Sequence, residues 1–356
     1  MASEALAVRA ALWRQKFRLE VAFDVHAGET LAIVGPSGAG KSSSISAVAG
    51  LLKPDSGRIA LGDDVWCDTD RGIDRPPHQR RVGFVHQEFA LFPHLTVLEN
   101  VLYGARSRAS ARDAALRAAG SWIDQLGLAQ LAGRPVQALS GGQRQRTALA
   151  RALASGAGVL LLDEPFGSLD ASTRNSVRRQ LKEFLREVRL PTVIVTHDPT
   201  DALALADRIA ILEDGRMSQI GPAEELLARP QSAFVAELFG MNFYRANLRE
   251  GSGLREATVG TVVFHVAGLE APGPVALAFP PSAVTLSLER ASSSAQNVFE
   301  GIVREVAPLV DRMRVVCDCG IPIVADVVRE ASATLGLYPG RAVWASVKAT
   351  AIRVYR

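Results

Sequence analysis

The residues best suited to chemistry form one run, Gly35-Pro36-Ser37-Gly38-Ala39-Gly40-Lys41-Ser42. It fits the phosphate-loop pattern G-x-x-x-x-G-K-[ST] at every position. Glycines at 35, 38 and 40 let the backbone curl until several N–H groups face one phosphate cluster, and Pro36, Ser37, Ala39 and Ser43 belong to the same grip. Lys41 can reach the outer phosphates, and the Ser42 hydroxyl suits Mg²⁺. A helix that starts here adds the positive end of its dipole. A second run, Leu160-Leu-Leu-Asp163-Glu164, ends an apolar stretch in two carboxylates. Asp163 is placed to share Mg²⁺ with Ser42, and Glu164, one residue on, to polarise an attacking water. Together the two runs describe a nucleotide site that works with Mg²⁺.

Such a site needs strands that end, and helices that begin, at the right residues. Thr30-Leu-Ala-Ile-Val34 reads as a buried strand, and residues 43–52 carry apolar residues at helical spacing. Residues from about 5 to 34 alternate apolar and polar, as in Phe17-Arg-Leu-Glu-Val-Ala-Phe23, which predicts antiparallel strands. Further strands are expected over 57–61, 81–85, 158–162, 191–195 and 208–212, with helical stretches over about 97–132, 139–154, 172–188 and up to 203. Strands alternating with helices predict an α/β core around a mostly parallel sheet. After about Gly240 the texture changes to Val, Gly, Pro and short alternating runs. Residues 291–294, Ala-Ser-Ser-Ser, read as a linker, and 298–356 hold about five strand-like runs of small-barrel size. Residues 243–288 read as a further β unit that does not visibly repeat the last one.

Length and composition narrow the possibilities. The 356 residues suffice for two or three domains, and 48% hydrophobic with 22% charged residues is ordinary for a soluble chain. A net charge of +3 gives no reason to expect nucleic acid or anionic lipid. No apolar run reaches the roughly 18 to 20 residues of a spanning helix. The opening MASEALAVRA lacks the layout of a secretion signal, so a cytosolic location is expected. Cys67 stands alone, and Cys317-Asp-Cys319 has no second pair, so reduced structural thiols are expected rather than a metal site.

Leu139-Ser140-Gly141-Gly142-Gln143 resembles the signature sequence of ABC ATPases, and the neighbouring markers follow in that family's order. Gln87 resembles the glutamine that meets Mg²⁺ and the attacking water. Ser168-Leu-Asp170 resembles the loop that crosses the dimer interface, and His197 the switch histidine that contacts the γ-phosphate. The resemblance implies catalysis by Glu164, His197 and Gln87, and Mg²⁺ held through Ser42, Gln87 and Asp163. It also implies a head-to-tail homodimer in which Ser140, Gly141, Gly142, Gln143 and Asp170 act on nucleotide held by the other copy. Adenine would stack on an aromatic upstream of the loop, with Trp13 the best spaced and Phe17 the alternative. Within the family, a cassette over 1–238, with a helical subdomain at about 89–155, resembles the ATPase subunit of bacterial importers. The helical insert would dock a membrane permease pair, with Phe89, Leu91, Phe92 and Pro93 candidates for the groove.

The last stretch narrows the resemblance. Ser294-Ala-Gln-Asn297-Val-Phe-Glu-Gly301, Leu335-Gly-Leu-Tyr-Pro-Gly340 and Val347-Lys348-Ala-Thr350 resemble the molybdate-binding Mop/TOBE barrel over 293–356, with 239–290 as a β-rich connecting or regulatory segment. Ser294, Asn297, Lys348 and Thr350 are the candidate oxyanion ligands. Gln296 stands where that family usually has Arg. The expectation is a P-loop α/β cassette followed by a small all-β, OB-like barrel domain. Its implied role is that of the ATPase of a molybdate importer, peripheral on the cytoplasmic face of the bacterial inner membrane and supplied by a periplasmic molybdate-binding protein. A sulfate, tungstate or other importer, or a cytosolic oxyanion-responsive regulatory ATPase, is the alternative.

Overall fold

The computed structural model describes residues 5–14, 17–107, 111–167, 169, 171–250, 254–267, 271–290, 294–309 and 311–355, with backbone alone at 171–173, 228 and 233. The chain divides into two compact units, 1–223 and 224–356. The first is built on an eleven-stranded sheet: β1 (Leu6–Arg14), β2 (Phe17–Val25), β3 (Thr30–Val34), β4 (Ser56–Leu61), β5 (Asp64–Asp68), β6 (Ile73–Asp74), β7 (Val82–Val85), β8 (Val159–Asp163), β9 (Thr192–Thr196), β10 (Arg208–Glu213) and β11 (Arg216–Gly221). Their order is β6-β5-β4-β1-β2-β11-β10-β3-β9-β8-β7. The helices are α1 (Lys41–Ala49), α2 (Val97–Arg106), α3 (Arg112–Gln125), α4 (Gly141–Ala154), α5 (Ala171–Val188) and α6 (Pro199–Leu205).

The parallel part of this sheet aligns the chemistry. Strands β10, β3, β9, β8 and β7 run side by side, and β3, β8 and β9 are almost wholly buried because helices cover both faces. Their register pairs Val34 with Thr196, Asp163 with Val195 and Val85 with Leu162. The segments after β3, β7, β8 and β9 therefore leave the sheet at one level, at the carboxyl ends of the strands, where open α/β sheets bind ligands. The expected antiparallel pair is β1 with β2, in continuous register from Leu6–Val25 to Arg14–Phe17. Helices α2, α3 and α4 share one apolar cluster that includes Phe89, Val101, Ala119 and Leu149. A capping box opens α2: the Glu99 N–H donates to the Thr96 hydroxyl and the Thr96 N–H to the Glu99 carboxylate.

The second unit contains α7 (Ala223–Ala228), α8 (Ala233–Leu238) and α9 (Arg329–Leu335) beside ten strands. These are β12 (Asn242–Arg249), β13 (Arg255–Val259), β14 (Val262–Val266), β15 (Gly273–Phe279), β16 (Val284–Ser287), β17 (Asn297–Pro308), β18 (Arg312–Asp318), β19 (Pro322–Val328), β20 (Ala342–Val347) and β21 (Arg353–Tyr355). Two five-stranded sheets result, β14-β13-β12-β15-β21 and β16-β20-β17-β18-β19, over a single apolar core. Cys317 and Cys319 lie inside that core, and burial pushes their thiols up to about 11 and about 12.

The order of those sheets exposes an internal duplication. Strands β12 to β16 and β17 to β21 trace the same path, and each group gives its fifth strand to the other group's sheet: β21 pairs with β15, and β16 with β20. The same 3₁₀ turn precedes each exchanged strand, at Pro281–Ala283 and Ala349–Ala351. A matching amide locks each half. Asn242 donates to the Val324 carbonyl and accepts from the Val324 N–H, both at 2.8 Å. Asn297 donates to the His265 carbonyl at 2.9 Å and accepts from the His265 N–H at 2.6 Å. Val324 and His265 lie on β19 and β14, the outermost strand of each sheet, so each asparagine ties the edge of one sheet to the first strand of the other. The stretches expected as separate pieces, 239–290 and 293–356, thus interlock. The sequence carries only a faint trace, 241–250 MNFYRANLRE against 296–305 QNVFEGIVRE.

Candidate functional site

The phosphate loop owes its shape to positions where only glycine fits. A side chain at Gly35 would put its Cβ 2.0 Å from the Leu212 carbonyl oxygen, and Gly38 and Gly40 hold φ of 82° and 102°. Helix α1 begins at Lys41, directly after this curl. The Lys41 side chain folds back into the loop and donates to the carbonyls of Gly35 (2.8 Å) and Pro36 (2.9 Å). Burial lowers its ammonium below the ordinary lysine value, while Glu164 and then Asp163 act in the opposite sense. A buried cation framed by inward-curled backbone matches a polyphosphate.

Beside it, Ser42 Oγ donates to Asp163 Oδ1 at 3.1 Å, joining the start of α1 to the end of β8. Burial raises the Asp163 carboxyl above its ordinary value; the Ser42 hydroxyl pulls it down and Glu164 pushes it up. A carboxylate so disfavoured as an anion gains from a cation, and with the Ser42 hydroxyl it offers the hard oxygen donors Mg²⁺ takes. Glu164 sits at φ 44°, a left-handed conformation that costs a non-glycine residue energy and turns the carboxylate out of the strand. His197, one residue beyond β9, places Nδ1 3.0 Å from Glu164 Oε1. Gln87 is exposed, with its amide beside Gly167, whose N–H bonds the Glu164 carbonyl at 3.0 Å. The structure therefore gathers Ser42, Asp163, Glu164, His197 and Gln87 around one loop.

The segment after Gln87 is strapped to the helical layer. Arg151 of α4 donates to the carbonyls of Phe89 (2.9 Å) and Ala90 (2.6 Å), both residues at positive φ, and lies over the Phe92 ring. Buried Asn100 accepts from Phe92 N–H and donates to the carbonyls of Phe92 and Thr96. Phe89, expected to line a groove, is instead 3% exposed, because these straps turn it into the helical core. Phe92 stays half-buried against Tyr103, which is 60% exposed, with ring centroids 4.6 Å apart.

Ser140 and Gln143 cap α4. The Gln143 N–H donates to Ser140 Oγ at 3.3 Å, and the Ser140 N–H donates to Gln143 Oε1 at 2.9 Å. A Cβ at Gly141 would lie 2.4 Å from Leu169 Cδ2, which explains the glycine there. Among the described residues no hydrogen bond joins this cap to the phosphate loop of the same chain. Ser168 and Asp170 lie outside the described residues. The two aromatic candidates occupy different places. Phe17 packs on the phosphate loop, about 3.2 Å from a Cβ built at Gly40. Trp13 is 44% exposed, under the Arg18 guanidinium.

Comparison with known proteins bears on this arrangement. The ABC transporter family matches residues 19–167, and the TOBE domain matches 293–354. The molybdenum import ATP-binding protein ModC of Mycobacterium tuberculosis is 38% identical over 95% of this chain and 94% of its own length. The chain belongs to the ABC transporter family. The molybdate/tungstate import ATP-binding protein WtpC of Pyrococcus horikoshii is 35% identical over 96% of each chain. The dimeric structure of a bacterial ABC transporter cassette superposes with a TM-score of 0.50 at 31% identity, covering 61% of this chain and 98% of that one. This ABC protein is an ATP-binding, ATP-hydrolysing transport ATPase with a C-terminal TOBE domain. No helix among its described residues is long and apolar enough to cross a membrane.

Sequence reasoning passed over the residues that brace this ABC site. Arg174 of α5 donates to Asp198 Oδ2 at 3.2 Å and to the Phe166 carbonyl at 3.4 Å. It thereby bridges the neighbour of His197 and the turn that follows Glu164. One helical turn on, Arg178 pairs with buried Asp201 of α6. The signal was present as arginines four apart facing aspartates three apart, a spacing that puts each pair on one helix face. In the TOBE region, Ser294, Lys348 and Thr350 are exposed, whereas Asn297 is 1% exposed and bonds the His265 backbone at both ends of its amide. The lock between the two halves, rather than an anion, occupies Asn297.

Proposed function

We propose that this protein hydrolyses ATP to drive molybdate import through a separate membrane permease. The observation that carries the cargo is similarity running from end to end, cassette and TOBE domain together, to a relative that imports molybdenum. The loop N–H groups, the start of α1 and Lys41 grip the phosphates of ATP. Ser42, Asp163 and Gln87 would hold Mg²⁺, which neutralises charge on the phosphate oxygens when bound. Glu164 takes a proton from the attacking water. His197 lies beside Glu164, and as an imidazolium it would donate from Nδ1 to the Glu164 carboxylate and from Nε2 to a γ-phosphate oxygen.

Two copies pair head to tail, so that Ser140, Gly141, Gly142 and Gln143 of one cap the nucleotide held by the other. The helix cap leaves the Ser140 hydroxyl hydrogen available for that contact, and closure supplies donors where charge develops. The adenine ring stacks on Trp13, whose exposed face is accessible, while Phe17 walls the loop beneath. The permease pair docks on the helical subdomain at Phe92 and Tyr103, on the cytoplasmic face of the inner membrane, and a periplasmic binding protein delivers the anion. Ser294, Lys348 and Thr350 give the TOBE domain hydroxyls and a cation with which to sense molybdate.

The test is labelled molybdate uptake by cells carrying Glu164→Gln in place of the native chain, with sulfate measured alongside. Loss of molybdate uptake alone is expected. Molybdate entry that persists while sulfate entry fails would leave the ATPase standing and refute the cargo.

A further inference from the structure

We infer that the two repeats of the C-terminal unit together form a binding site for a small monocarboxylate with an apolar body, where first-repeat positions with polar counterparts in the second repeat supply an apolar wall. A cavity of about 640 Å³ has Phe239, Met241, Pro280 and Ser282 in its wall. The duplication assigns each of these a partner. Counting back from the matched locks Asn242 and Asn297, Phe239 corresponds to Ser294 and Met241 to Gln296. Counting from the matched 3₁₀ turns, Pro280 corresponds to Lys348 and Ser282 to Thr350. The four positions that read as hydroxyl, amide, ammonium and hydroxyl in the second repeat are a ring, a thioether, a pyrrolidine and a hydroxyl in the first.

That exchange changes what can bind. A compact dianion needs several donors converging on it, and an apolar wall supplies none. The cavity falls within the roughly 300–1,000 Å³ range of small-molecule sites, with mostly apolar lining and a few polar groups to orient a ligand. Those groups are the hydroxyl of Ser282 and the guanidinium of Arg353. A second arginine at the wall, Arg314, is already spent on a two-pronged pair with Asp326, at 2.9 and 3.0 Å. Arg353 is exposed and makes no ion pair with any described residue, so it is the cation left for a ligand. Glu224 at the rim balances its charge, which disfavours a dianion and tolerates a ligand with one charge and a long apolar body.

Titration calorimetry on the full-length protein tests this with sodium octanoate as probe, and 1-octanol and molybdate as comparators. Octanoate should bind once per chain, with octanol about tenfold or more weaker, the worth of one charge-assisted hydrogen bond. Arg353→Gln should bring octanoate down to the octanol level. Ser282→Trp, at an exposed position on the rim, should block both, and excess molybdate should displace neither. ATP hydrolysis should be unchanged in both variants. No octanoate binding to the native chain, equal binding to native and both variants, or displacement by molybdate would each overturn the inference. None of these results bears on whether molybdate is the transported cargo.

Discussion

Replacing Asn297 with Ala separates a structural lock from an oxyanion ligand. The native amide makes two hydrogen bonds to the backbone of His265, at 2.6 and 2.9 Å, and is 1% exposed. Alanine deletes both partners and leaves an N–H and a carbonyl on an edge strand without them. Two such bonds contribute about 2 kcal/mol net, and imperfect resolvation of the orphaned groups brings the loss to about 2–4 kcal/mol. A unit of about 130 residues unfolds with an entropy near 0.28 kcal/mol/K, so its melting point should fall by about 7–14 °C. The duplication adds an internal control, because Asn242→Ala removes the equivalent pair at Val324 and should cost a similar amount. Differential scanning calorimetry on the full chain, with and without molybdate, reads both. A melt for Asn297→Ala within about 2 °C of native, with molybdate protection abolished, would refute the lock and restore Asn297 as a ligand.

Lys41→Ala should weaken ATP binding by about 10- to 100-fold in titration calorimetry, since the loop loses its one buried cation. Unchanged affinity would contradict its role. Because burial raises the Asp163 carboxyl above 3.8, the folded chain holds that proton more tightly than the unfolded chain. Its contribution to stability is therefore present in acid and is lost as pH rises through the window above 3.8. In EDTA and without nucleotide, Asp163→Asn should then resist urea better than native protein at pH 7, match it in acid, and lose Mg²⁺-dependent hydrolysis. Lower stability of Asp163→Asn at pH 7 would refute the raised Asp163 carboxyl. Arg174→Ala should reduce kcat about tenfold with the KM for ATP within about twofold, and Arg174→Lys should restore part of it, since the bridge from Asp198 to Phe166 orients His197 and Glu164 without touching nucleotide. A rise in KM alone would place Arg174 in binding instead.

The phosphate loop was legible because its function is written in consecutive residues. Gly35 to Ser42 bind through their own backbone, and the strand and helix on either side are local as well. Asp163 and Glu164 could be read for the same reason, since an apolar strand that stops in two acids announces both its burial and its end. The sequence alone did not place Phe89, because its burial depends on Arg151, some 60 residues away, which straps the loop down. Nor could it decide which aromatic lies on the loop, as Trp13 and Phe17 alternate on a hairpin whose register sets their positions. The tertiary structure alone decided what Asn297 does. An asparagine next to a strand can point at an anion, water or another backbone, and only the exchanged strands bring His265 opposite it. The duplication was hidden for a related reason. Backbone path and core burial tolerate almost any apolar substitution, so two halves can keep one topology while sharing little beyond the asparagines that lock them.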